Sequence, residues 1–248
     1  MNFKYFFLLP ILCALQADFT PENTEFAWDC HQVLLQQKTG SMVKIGLLEG
    51  TPKVLAVIAA LSKESLGYCW SGTPNKTYKF LRDVKEKLKV KGVTAEDFKD
   101  IVDAYDATLW PLMLKIASQQ QPMPGMQEIV DALHEMGYSM RTATNMSVKE
   151  FKATQENNQE LFEHFQEDGF MVDVTEENFP RKPSVAYFEK YHARHNAEGA
   201  KKIIFIDDKL KNCSASQKTD MTSIHFKNAQ QLIQELAKLG IIIRLPKP

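Results

Sequence analysis

Apolar residues recur along this chain at two different periods, and the period decides which element each stretch predicts. Ile203-Ile204-Phe205-Ile206 is an unbroken, largely β-branched run that leads straight into Asp207-Asp208. It predicts a strand buried on both faces of a parallel sheet, with the carboxylates at its carboxyl end, where open α/β sheets bind ligands. Residues 24–28 and 138–143 predict two further strands, ending in Asp29 and in Thr144-Asn145, and residues 170–174 and 222–226 predict two shorter ones. Between them the apolar positions take helical spacing. Met126, Ile129, Val130 and Leu133 follow Pro124-Gly125 and stop at Gly137; a polar helix runs from 148 to about 165. Another opens at Arg181-Lys182-Pro183 with Val185, Phe188 and Tyr191 inward, and one begins near Leu210. The last carries Leu232, Ile233, Leu236 and Leu239 between a capping Asn228 and Gly240. Strands alternating with helices from residue 122 onward predict an α/β fold: a Rossmann-like parallel sheet with right-handed crossovers, flanked by helices.

Residues 46–120 break the alternation. Val54, Leu55, Ile58, Ala59 and Leu61 trace one helical face, and Phe98, Ile101, Val102, Tyr105 and Leu109 trace another after the start signal Thr94 and Asp97. A mainly helical insert is expected there, splitting an α/β core formed by 18–45 and 121–248. Its Trp70, Tyr78 and Trp110 are candidates to line a pocket, with core packing as the alternative. At the N-terminus, Lys4 precedes an apolar run over 5–15 that is too short to span a bilayer but fits a secretory signal peptide over 1–17, cut after Ala17. Export to a periplasm or the medium is expected, with an N-terminal membrane anchor as the alternative and no stable membrane span in the mature chain.

Charge and cysteines narrow the choice of partner. A formal net charge of −1 over 248 residues gives no bulk attraction for nucleic acid. Beyond Cys13, the cysteines Cys30, Cys69 and Cys213 show no CxxC or zinc spacing and no disulfide framework. The informative residues are those that parallel strands would gather at one edge: Asp29, Thr144, Asn145, Asp207 and Asp208, with Lys182 reaching them from a helix start. Adjacent aspartates repel, a cation offsets that repulsion, and hard oxygen donors favour magnesium. The plain alternative is that one aspartate caps the next helix while its neighbour faces water.

Taken in order, these segments resemble the haloacid dehalogenase-like (HAD) hydrolases. MPGMQEIVDALHEMGYSMRTATN is similar to that family's second motif region, RKPSVAYF to its third and IIFIDDKLKN to its fourth, and the insert stands where many members carry a helical cap. The resemblance implies an aspartyl nucleophile at Asp29 and phosphate binding by Thr144, with Asn145 beside it. It implies charge stabilisation by Lys182, and magnesium held by Asp29, Asp207, Asp208 and the His31 backbone carbonyl, with Asp208 the more direct ligand of the pair. Asn212 would buttress the loop. The implied substrate is a small phosphomonoester; oligomeric state is left open.

One position departs from the pattern. Phosphatases of the family carry a second aspartate two residues after the nucleophile as general acid and base, and WDCHQVLL puts His31 there, followed by Gln32 in place of the usual glycine. An imidazole has a suitable unperturbed pKa, near 6.5, but a different length. Three expectations follow: a magnesium-dependent phosphatase, a haloacid dehalogenase-type enzyme, or a HAD-fold binding protein that has lost turnover.

Overall fold

The computed structural model describes residues 18–37, 114–115, 117–173 and 179–245. The expected signal peptide and nearly all of the expected cap, with Trp70, Tyr78 and Trp110, lie outside the described residues. Five strands form one all-parallel sheet: β1 (Thr24–Trp28), β4 (Ser139–Ser147), β5 (Phe170–Val172), β6 (Lys202–Asp207) and β7 (Thr222–His225), in the order β5-β4-β1-β6-β7. Two short strands, β2 (Leu35–Gln37) and β3 (Gln120–Pro122), pair antiparallel beside it. The helices are α1 (Met126–Glu135), α2 (Val148–Gln155), α3 (Gln159–Phe162), α4 (Val185–His195), α5 (Leu210–Ser216) and α6 (Ala229–Lys238). None of the described helices is long and apolar enough to cross a membrane.

The sheet is covered on both faces, and strand alternation sorts the side chains between them. Phe26, Trp28, Ile204 and Ile206 pack towards α1, α3 and α6, against Ile129, Leu133, Phe162, Leu232 and Leu236. Ala27, Ile203 and Phe205 face the other way, against Tyr187, Phe188 and Tyr191 of α4 and Ala215 of α5. Burying each large apolar side chain contributes about 1.5–3 kcal/mol, so the two layers hold the central strands firmly.

Several helix boundaries follow from local chemistry. Asn228 caps α6 by accepting from Gln231 N–H at 2.9 Å, and Gly240 ends it at φ 84°. Ser147 and Glu150 cap α2 reciprocally, Glu150 Oε2 accepting from Ser147 N–H at 2.7 Å. The single polar helix expected over 148–165 is instead two, because Asn158 Nδ2 donates to the carbonyls of Thr154 (2.8 Å) and Gln120 (3.2 Å) and turns the chain there. The third predicted helix starts at Val185 rather than at Arg181, since residues 181–184 form a turn closed by Ser184 N–H to the Arg181 carbonyl.

Candidate active site

Register brings the acidic residues together. Trp28 lies level with Ile206 in β6 and with Thr142 in β4, so the next residue of β1, Asp29, is level with Asp207 at the carboxyl edge. Both continue the alternation that points Ala27 and Phe205 towards α4. The turn before α4 delivers Lys182 to the same face, its ammonium 5.2 Å from the centre of the Phe205 ring. One carboxylate oxygen from each of Asp29, Asp207 and Asp208 lies within 4.8 Å of the others.

Lys182 is the centre of the arrangement. Its Nζ contacts Asp29 Oδ1 at 3.0 Å and donates to Asp207 Oδ2 at 2.7 Å and to the Ala143 carbonyl at 2.8 Å. Burial alone would lower its pKa, but Asp29 and Asp207 outweigh burial and raise it, so the amine stays charged. Asn145 fixes the backbone of the same residue: its Nδ2 donates to the Lys182 carbonyl at 3.1 Å and its Oδ1 accepts from Lys182 N–H at 3.0 Å. The Asn145 amide is thereby largely spent on placing Lys182. Thr144 is buried; its Oγ1 accepts from Met146 N–H at 3.3 Å, and its hydroxyl also hydrogen-bonds the Cys30 side chain.

The aspartates are not equivalent. Asp207 has both oxygens engaged: Oδ1 accepts from Lys209 N–H and Asn212 Nδ2, each at 2.8 Å, and Oδ2 from Lys182 and from Asn212 at 2.9 Å. Asn212 is therefore the buttress that the sequence led us to expect. Burial and the Asp29 charge push the Asp207 carboxyl up, against Lys182 and Asn212. Asp208 is half-buried, and among the described residues its carboxylate contacts only Lys209 Nζ, at 3.3 Å. Asp29 Oδ1 accepts from Cys30 N–H at 2.8 Å, whereas its Oδ2 has no partner among the described residues. Three carboxylates facing one buried ammonium leave excess negative charge, and an all-oxygen donor set at this spacing fits a hard divalent cation such as magnesium.

His31 sits at the rim with its side chain exposed, while its backbone bridges Leu35. The protein mass around the ring nevertheless pushes the imidazole pKa down, with Asp29 and the Gln120 side chain opposing. Gln32 takes φ 62°, the left-handed conformation that a glycine would adopt freely. Two neighbours carried no signal in the sequence. Tyr187 places its hydroxyl 3.1 Å from the carbonyls of both Thr144 and Phe170, and His225 Nε2 lies 2.9 Å from the Asp208 carbonyl. Both link strand ends that are distant in sequence, so no local pattern marks them.

The profile of the haloacid dehalogenase-like hydrolases matches residues 57–226, more than half of the chain. The chain belongs to this family. Among solved structures, a predicted HAD-like hydrolase from Porphyromonas gingivalis aligns at 13% identity over 88% of this chain and 98% of its own, with a TM-score of 0.52. A HAD-family enzyme from Bacteroides thetaiotaomicron aligns at 14% identity over 86% of this chain and 98% of its own, with a TM-score of 0.51. No curated protein sequence matches significantly. The structural likenesses establish the HAD fold, and the family match makes the protein a HAD-like hydrolase.

Proposed function

We propose that this HAD-like hydrolase is a magnesium-dependent phosphatase that acts on a small phosphomonoester through an aspartyl-phosphate. The asymmetry of Asp29 carries the reading: Lys182 and Cys30 N–H hold Oδ1, and Oδ2, without a partner among the described residues, is the attacking atom. Attack by Oδ2 on phosphorus forms the acyl phosphate as the bond to the leaving oxygen breaks, and the departing alkoxide takes a proton from solvent water. Lys182 balances charge on the Asp29 carboxylate and the transferring group, and the Thr144 hydroxyl donates to a phosphoryl oxygen. His31, whose pKa is lowered by the protein mass around the ring, takes the proton of the water that hydrolyses the intermediate. Asp29, Asp208 and the His31 carbonyl would hold magnesium, which offsets charge between nucleophile and phosphate. Asp207, its oxygens already engaged, orients Lys182 rather than serving as a primary ligand. A dehalogenase needs no metal, and the three-carboxylate cluster counts against that chemistry.

Phosphate release from an aryl phosphate tests the proposal. Turnover that requires magnesium and disappears in Asp29→Asn supports it. Metal-independent chloride release from a 2-haloacid would replace it with the dehalogenase reading, and binding of a phosphate mimic without turnover of any phosphomonoester would make the protein a non-catalytic binder. Export rests on the apolar leader, and an N-terminus beginning after Ala17 in the mature protein would support it.

A further inference from the structure

His31 stands at the rim of the candidate active site, and a buried amide lies beside it. Gln120 opens β3, where it is level with Gln37, while Pro122 is level with Leu35. Leu35 in turn bridges His31. Gln120 and Pro122 share a face of β3, as strand residues two apart do. That pairing sets Gln120 next to the loop that carries His31. Gln120 is only 5% exposed, and its Oε1 completes no hydrogen bond among the described residues.

The backbone on both sides is fixed. The Gln120 carbonyl accepts from Asn158 Nδ2 at 3.2 Å, and the Ala117 carbonyl just before it accepts from Thr154 Oγ1 at 3.3 Å. Across from them, Gln32 N–H donates to the Leu35 carbonyl at 2.7 Å and Leu35 N–H to the Cys30 carbonyl at 2.9 Å, which closes the loop around His31. A buried amide oxygen without a donor is costly, and the His31 imidazole is the neighbour able to supply one. The Gln120 side chain also raises the pKa of that ring, as an accepting oxygen does and a donating amide N–H does not.

We propose that Gln120 is a positioning residue for His31: its Oε1 accepts from one imidazole N–H and so turns the other ring nitrogen, as an acceptor, towards the carboxylate edge. The hydrogen bond stands by itself, and its consequence for turnover rests on the phosphatase reading. In that reaction the water oxygen bonds to phosphorus, the bond from phosphorus to Asp29 Oδ2 breaks, and the water proton passes to the accepting nitrogen. The N–H held by Gln120 stays in place throughout, so the ring keeps one orientation from turnover to turnover.

Long-range nitrogen–proton NMR of the full chain, labelled at the histidine nitrogens and kept in mildly alkaline buffer, reads which ring nitrogen carries the proton. His31→Ala identifies the resonance, and circular dichroism checks that each variant is folded. One tautomer of His31 in about tenfold excess or more is expected in the wild type. Gln120→Met, of similar length but without the oxygen, should let the two tautomers mix. Gln120→Asn, which withdraws the oxygen by one methylene, should do the same, whereas Gln120→Glu keeps an oxygen there and should keep the single tautomer. With magnesium and an aryl phosphate, Gln120→Met should lower kcat about tenfold or more with little change in KM, and should have no further effect in the His31→Ala background. Mixed tautomers in the wild type, a tautomer indifferent to Gln120→Met, or an undiminished effect of Gln120→Met in His31→Ala overturns the proposal. A single tautomer governed by Gln120 in a protein that releases no phosphate sustains the hydrogen bond and overturns the phosphatase reading instead.

Discussion

The Lys182 ammonium lies 2.7 Å from Asp207 Oδ2, although 25 residues separate the two and neither side chain is more than 1% exposed. Removing one member of such a pair leaves a buried charge uncompensated. Lys182→Met should cost about 3–5 kcal/mol, visible as a lower urea midpoint at unchanged slope. Added magnesium should restore part of that loss by binding the folded form.

The unequal engagement of the two adjacent aspartates separates their variants. Asp208→Asn should raise the magnesium concentration for half-maximal phosphate release by about tenfold or more while leaving the thermal midpoint nearly unchanged. Asp207→Asn should instead lower the thermal midpoint, since it disturbs Lys182, Asn212 and the Lys209 backbone together. Metal titrations of activity beside melting curves distinguish them.

His31→Ala should lower kcat by a factor on the order of 10²–10⁴ with a smaller change in KM. Single-turnover assays should show the aspartyl-phosphate accumulating, because only its hydrolysis uses the imidazole. A large gain in His31→Asp would show instead that the native ring contributes little.

Gln32→Gly should stabilise the fold by up to about 1 kcal/mol, because it releases a left-handed strain that exceeds the entropy glycine loses on folding. Chemical denaturation measures this directly.

Acid sensitivity should come partly from His195. Burial lowers its pKa to about 4, with Arg141 acting the same way and Asp168 opposing. In the unfolded chain an imidazole titrates near 6.5, so between these values the unfolded state binds more protons and stability falls as pH drops. After discounting for solvent screening, the loss should reach about 1–2 kcal/mol by pH 4, and His195→Phe should remove it. Denaturation midpoints from pH 7 to pH 4 give the comparison.

Strong periodicity made much of the architecture legible. The bounds of β1 and the start of α5 fall where the pattern placed them, and Met126, Ile129, Val130 and Leu133 are the buried face of α1. Asp29, Lys182, Asp207 and Asp208 meet as the strand ends implied. What escaped depends on contacts between distant segments. β4 continues to Ser147 because that residue pairs with Val172 after a register shift, which no local run reveals. His195 reads as a surface histidine, yet its side chain is buried at 1% exposure against Asp168, which Arg141 also holds. His134 and His164 stack across 30 positions of chain.

The level alignment of Trp28 with Ile206 also sets which sequence changes this protein can tolerate. An inserted or deleted residue inside β6 would rotate Asp207 into the layer of Ile204 and Phe26 and leave Lys182 facing an apolar group. The same change before Lys202 or after Asn212 would leave that alignment alone. Length variation among descendants of this gene should therefore collect in the connections and spare the strands, whatever drift the individual side chains undergo.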